Sequence, residues 1–164
     1  MTKLVTIFSV VSLLLLVVAC RVSKAPVNSP VSNAGNTTAV ANGSAKIVYL
    51  EYMERATYAQ PVDYFRVELK DNGKVKIHRQ QGMLEEDLTA DASLMDDLLS
   101  VYVNGKVGEW KSDYQPPMEV LDGYSWRFEV KFDNGSYKYS HGSNARPETN
   151  ALEEFSKLIW NLKK

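Results

Sequence analysis

The 164-residue chain is 45% hydrophobic and 24% charged, the balance of one globular domain with appendages. Fifteen of nineteen basic and all twenty acidic residues lie from Ile47 onward, so that part carries a net charge of −5. No basic patch is interleaved with aromatics, which argues against nucleic acid as a partner. The lone cysteine, Cys20, rules out a scaffold stapled by internal disulfides.

The chain opens with Lys3 and an almost wholly apolar run over residues 4–19, which includes four consecutive leucines. A charged start and an apolar stretch of this length form a signal-peptide pattern. The run is shorter than the roughly 20 residues that span a bilayer as a helix. Val17-Val18-Ala19-Cys20 resembles the bacterial lipobox. Residues 1–19 are therefore expected to be a lipoprotein signal peptide. The resemblance implies that Cys20 becomes the acylated N-terminus, and two or more acyl chains anchor where a single one binds marginally. An uncleaved helix with a buried thiol and a conventional cleavage after Ala19 are the competing readings. Asn36, Asn42 and Asn134 each begin an Asn-x-Ser/Thr triplet, read here as linker and turn residues rather than glycan acceptors.

Residues 20–46 are rich in Ser, Asn, Ala, Thr, Gly and Pro, and contain no aromatic or acidic residue. Such a segment cannot bury enough apolar area to offset its chain entropy, so it reads as a flexible linker. As a coil it would reach about 25–30 Å, enough to lift a domain off a membrane.

Residues 47–164 read as a single domain. A strand is expected over residues 47–53 and a connection over 55–63. A half-wet strand follows, in which Phe65, Val67 and Leu69 alternate with charged residues. Asp71-Asn72-Gly73 then predicts a hairpin with positive φ at both turn positions, leading to a strand with Val75 and Ile77. Residues 80–88 read as a polar loop. Thr89 or Asp91 is placed to cap a helix carrying Leu94, Met95, Leu98, Leu99 and Tyr102, which Asn104-Gly105 would end in a left-handed stop. Asp96 and Asp97 fall on that helix's solvated side.

Residues 107–119 contain Pro116-Pro117 and read as an irregular connection. Trp126, Phe128, Val130 and Phe132 then alternate with polar residues, Asp133-Asn134-Gly135 predicts another hairpin, and Tyr137, Tyr139 and His141 share one side of the return strand. Ala151, Leu152, Phe155, Leu158, Ile159 and Leu162 form an amphipathic helix, with Asn150 and Glu153 as a possible capping box. The expected class is α+β: an antiparallel sheet built from hairpins, with two amphipathic helices packed on one face.

No stretch carries a specific catalytic or metal-binding motif, and nothing calls for a cofactor. His141 and Ser143, with Asp122 upstream, supply the residue types of a hydrolase relay but no nucleophile elbow. The candidate binding surface comprises Trp110, Tyr114, Tyr124, Trp126, His141, Asn144 and Arg146, because Trp and Tyr favour partner contacts when exposed. The same residues can instead close the core and shape the loop before the last helix.

The pattern Trp110…Tyr114…Leu121-Asp122-Gly123-Tyr124-Ser125-Trp126…Gly135…Gly142-Ser143-Asn144-Ala145-Arg146-Pro147 resembles one seen in small, uncharacterised bacterial lipoproteins, over about residues 75–162. The resemblance implies a domain of unknown function and supplies no catalytic residues. The expectation is an envelope lipoprotein, held to a membrane by acyl chains, whose domain binds an envelope protein or a glycan without catalysis. A small envelope hydrolase using Ser143 and His141, or a purely structural envelope component, is the alternative.

Overall fold

The computed structural model describes residues 45–56, 61–118, 120 and 122–163. The expected signal peptide, Cys20 and all but the last two linker residues lie outside the described residues. Among the described residues, no helix is long and apolar enough to cross a membrane.

The fold is α+β, with a seven-stranded, mostly antiparallel sheet and two helices. The strands are β1 (Ile47–Ala56), β2 (Pro61–Leu69), β3 (Lys74–Gln81), β4 (Leu84–Asp91), β5 (Asp113–Tyr114), β6 (Tyr124–Phe132) and β7 (Tyr137–Ser143). Their order across the sheet is β4-β3-β2-β1-β6-β7-β5, and the two-residue β5 alone runs parallel to its neighbour.

Side chains alternate across a strand, so the register sorts them into two sets. Leu50 stands beside Val67 and Val130, and Val67 beside Ile77. Tyr52 stands beside Phe65 and Phe128. These residues are buried. The alternate set, which includes Tyr49, Glu51, Met53, Arg127 and His141, is half-buried or exposed.

Both Asp-Asn-Gly sequences turn the chain, but not with two positive φ angles. Only the glycines are left-handed, Gly73 at 74° and Gly135 at 81°. Lys70 N bonds Lys74 O and Gly73 N bonds Lys70 O; Phe132 and Gly135 repeat the arrangement with Ser136 and Phe132. This is the three-residue loop closed by a glycine bulge. Asn72 Oδ1 accepts from Lys74 N and Asn134 Oδ1 from Ser136 N, so each asparagine pins the residue after the bulge. Lys46 pairs with Asp133 through N to Oδ1 and O to N, and Ala45 is buried, so packing includes the two described residues before Ile47.

Residues 80–88 are not a loop. β3 continues to Gln81, the chain turns at Gly82-Met83, and β4 forms the sheet's edge. The strand Leu-Glu-Glu-Asp-Leu-Thr-Ala-Asp hides one core side chain, Leu88, among four acids. Its acids are matched across the ladder: Asp91 to Lys74, Asp87 to His78 and Glu86 to Arg79. A charged edge of this kind resists pairing with another chain.

Helix α1 (Ser93–Asn104) buries Leu94, Met95, Leu98, Val101 and Tyr102, with Asp96 and Asp97 exposed. Neither Thr89 nor Asp91 caps it, because both remain in β4; Ala92 holds the N-cap position without a side-chain bond. Gly105 has φ −80°, and the left-handed residue is Lys106 at 50°. Gly105 is needed instead for closeness, since a Cβ there would lie 2.4 Å from Ala151 Cβ.

A 3-10 turn (Val107–Glu109) and β5 interrupt the expected irregular connection. Helix α2 (Ala151–Trp160) buries Ala151, Leu152, Phe155 and Ile159. Its start lacks the expected capping box: Asn150 Nδ2 donates to Glu154 Oε1 at 2.6 Å, while Thr149 Oγ1 accepts from Ala151 N at 3.4 Å. Phe155 stacks on Phe128 with 5.2 Å between centroids, and Tyr102 meets Phe132 edge-on at 5.3 Å.

Candidate functional site

The segment from Tyr124 to Pro147 forms the framework of one end of the sheet. Asn144 is left-handed at φ 52°, and its Oδ1 and N both bond the Tyr124 backbone at 2.9 Å. Gly123 makes room for that side chain: a Cβ there would lie 1.6 Å from Asn144 Oδ1. Trp126 Nε1 donates to Ala145 O at 2.7 Å, and a Cβ on Gly142 would press on both atoms and on Tyr114 Cβ. Arg146 lies 4.6 Å from the Tyr124 ring centroid and pairs with Glu54 at 2.6 Å.

These contacts divide the seven candidate residues. Trp110 and Trp126 are core, with Trp110 packed edge-on against Trp126 and tilted against Phe128. Trp110 Nε1 is buried without a hydrogen-bond partner among the described residues. Tyr114 and Tyr124 are half-buried against that core, and Tyr114 packs on Trp126 at 5.7 Å. Asn144 and Arg146 lock the segment between β7 and α2. His141 alone presents its side chain on the alternate set of residues, so the seven do not converge on one surface.

His141 instead meets residues from four other strands and loops. Register sets Arg127 opposite His141 and Met53 opposite Arg127; one step along, Arg55 faces Ser125 and Ser125 faces Ser143. With Tyr139 and Gln115 they line a groove of about 270 Å³, reaching the Trp126 and Gly142 positions. His141 Nδ1 lies 3.4 Å from Asp113 Oδ1, which also accepts from Gln115 Nε2 at 2.8 Å. The Tyr139 and His141 rings are 5.5 Å apart and tilted by 44°.

The groove's electrostatics rest on Glu51. Its Oε1 accepts from Arg127 Nη2 at 2.8 Å, and its Oε2 accepts from Tyr49 OH at 2.8 Å and Tyr64 OH at 3.4 Å. Burial first, then the Glu51 carboxylate, pushes the ionisation of both phenols upward, so they stay donors. Arg127 is held by one guanidinium nitrogen while half its side chain remains exposed. Arg55 is exposed and has no ion-pair partner among the described residues. A second concavity, about 310 Å³ beside Lys70, Lys74 and Lys76, has two of those lysines already paired with Glu68 and Asp91.

The hydrolase constellation is not assembled as expected. Asp113, not Asp122, lies beside His141. Ser143 and His141 are two residues apart on one strand, a spacing of about 6.5–7 Å between Cα atoms. Their side chains make no hydrogen bond to each other among the described residues. Among the described residues, no group of three or more His, Cys, Asp and Glu is placed to hold a metal ion.

Met53, Arg55, Arg127 and Tyr139 are not among the candidate residues that the sequence offers, although Tyr139 is placed there on one side of the strand with His141. One pairing was legible: folding residues 124–143 about the Asn134-Gly135 turn sets Arg127 opposite His141. Arg55 was not, because β1 joins β6 across some seventy residues. No protein-family model and no curated protein matches the chain.

Proposed function

We propose that this chain is an envelope lipoprotein, anchored through acylated Cys20 and lifted by its linker, whose domain binds a ligand without catalysis. In this reading both helices cover the Leu50 and Phe128 face of a hairpin-built sheet. The opposite face is the working surface. The observation that carries it is the groove of Met53, Arg55, Arg127, Tyr139 and His141, where Arg55 has no ion-pair partner among the described residues and Arg127 keeps guanidinium donors beyond its bond to Glu51.

Two measurements test the proposal. Radiolabelled palmitate is expected in the wild-type chain and absent from Cys20→Ala; equal label in both removes the anchor. A photo-reactive amino acid at Tyr139 is expected to form an envelope adduct, while one at the exposed Lys157 of α2 forms none. Adducts at neither position, or at Lys157 alone, remove the binding surface.

A hydrolase through Ser143 has one observation in its favour, that Ser143 and His141 line the same groove. A fluorophosphonate probe would be attacked by an activated Ser143 Oγ, with loss of fluoride. No labelling is expected, because His141 makes no hydrogen bond to Ser143 among the described residues. Labelling that Ser143→Ala abolishes would favour the enzyme.

A further inference from the structure

We propose that the groove is a subsite for a carboxylate-bearing sugar unit of a saccharide chain. This inference rests on the binding reading above and names its ligand class. Arg55 and Arg127 occupy diagonal positions on β1 and β6, a spacing of about 7–8 Å that long side chains close on one anion. Arg55 is free of ion pairs among the described residues, and Arg127 has guanidinium donors left beyond its bond to Glu51. Guanidinium groups match carboxylates with two parallel hydrogen bonds. The anion therefore sits between the two arginines.

Beside them, the hydroxyls of Ser125 and Ser143 face each other across β6 and β7 and bond to no protein group among the described residues. His141, one same-face step along β7 from Ser143, and Tyr139, a further step on and 38% exposed, supply two ring surfaces along the groove. Rings with adjacent hydroxyls suit a pyranose, which offers an apolar face and a rim of hydroxyls. A peptide fits less well, because its backbone brings one N–H for every carbonyl and needs acceptors to match. The lining's two charged side chains only donate, and the carboxylates beside it, on Glu51, Asp113 and Glu129, are already engaged.

The test is titration of the full-length acylated protein in detergent micelles with trigalacturonate, its methyl ester and a tetrapeptide bearing a free C-terminal carboxylate. Trigalacturonate is expected to bind at least tenfold tighter than either comparison ligand, and more weakly as salt rises. Arg55→Ala and Tyr139→Ala each lose about tenfold or more, while Arg66→Ala, on the same face outside the groove, retains wild-type affinity. Equal binding of acid and ester overturns the carboxylate assignment. Preference for the tetrapeptide overturns the saccharide class. No binding of any probe overturns the inference, and adducts at position 139 then leave the broader binding reading standing; loss of both removes both.

Discussion

Gly142 is closed in by atoms that cannot give way: an added Cβ would lie 2.7 Å from Ala145 O and from Trp126 Nε1, and 2.9 Å from Tyr114 Cβ. Backbone and a buried indole cannot retreat as a surface side chain does. Gly142→Ala is therefore predicted to destabilise by about 1–3 kcal/mol, as overpacking does, measured as a lower urea midpoint. At the same scale, Asp63 accepts from Trp160 Nε1 at 2.9 Å and Ser156 Oγ at 3.1 Å. Burial raises its carboxyl above the usual 3.8, and those bonds pull it part of the way back. The folded state thus holds this proton more tightly than the unfolded state. Asp63's contribution is fully present below about pH 3.8 and is lost as pH rises through the raised folded value. Asp63→Asn keeps an acceptor for Trp160 and should remove that decline, so its stability relative to wild type grows as pH rises from 4 to 7. Asp63→Ala should instead cost about 1–3 kcal/mol, because two half-buried donors lose their partner. Urea titrations across that range measure both, and parallel wild-type and Asp63→Asn curves would refute the linkage. The glycines, Asn144 and Pro147 were visible in the sequence as a loop that launches a helix. That Gly142 and Gly123 serve close approach was not, since the atoms they approach lie up to twenty-eight residues away.

Among the elements, the β3–β4 edge depends on Arg79. Its Nε and Nη2 bond Glu86, and its Nη1 donates to Ile159 O at 2.6 Å and Leu162 O at 3.3 Å, closing the C-terminal end of α2. The guanidinium also lies 4.9 Å from the Trp160 ring centroid. Arginine here satisfies carbonyls that every helix leaves open at its last turn. Removing Arg79 takes a charged partner from Glu86 and the donor from two helix-end carbonyls, so Arg79→Ala is predicted to cost about 3–5 kcal/mol by chemical denaturation. A cost below about 1 kcal/mol would mean that α2 is held by its other contacts, the apolar packing of Phe155 and Ile159 foremost. This edge was also the element the sequence concealed. Strong alternation made β2, β3, β6 and the two apolar helices legible, and the Asp-Asn-Gly turns fixed two connections. β4 reads as a loop because its charges oppose Lys74, His78 and Arg79 rather than solvent alone. Alternation along one strand cannot reveal a partner strand's complementary charge.

At the scale of the whole molecule, the sheet separates two kinds of work. One face buries Leu50, Phe65, Ile77, Phe128 and Phe155 in a continuous core. The other carries a cross-strand network centred on Glu51, with Lys131 4.7 Å from the Tyr49 ring centroid and His78 beside Asp87 and Tyr64. Those networks are exposed or half-exposed and individually weak, so substitutions there should leave folding nearly intact. The α+β class followed from the order of strands and helices in the sequence. The groove did not, because it needs β1, β6, β7 and the β5 connection side by side. The measurement that tests this division most directly pairs thermal unfolding with photo-cross-linking from a probe at Met53, in wild type and in Arg127→Ala/Tyr139→Ala. The account predicts a melting temperature within about 4 °C of wild type, the shift expected of 1 kcal/mol in a domain this size, together with loss of the envelope adduct. An undiminished adduct at that preserved stability would contradict it.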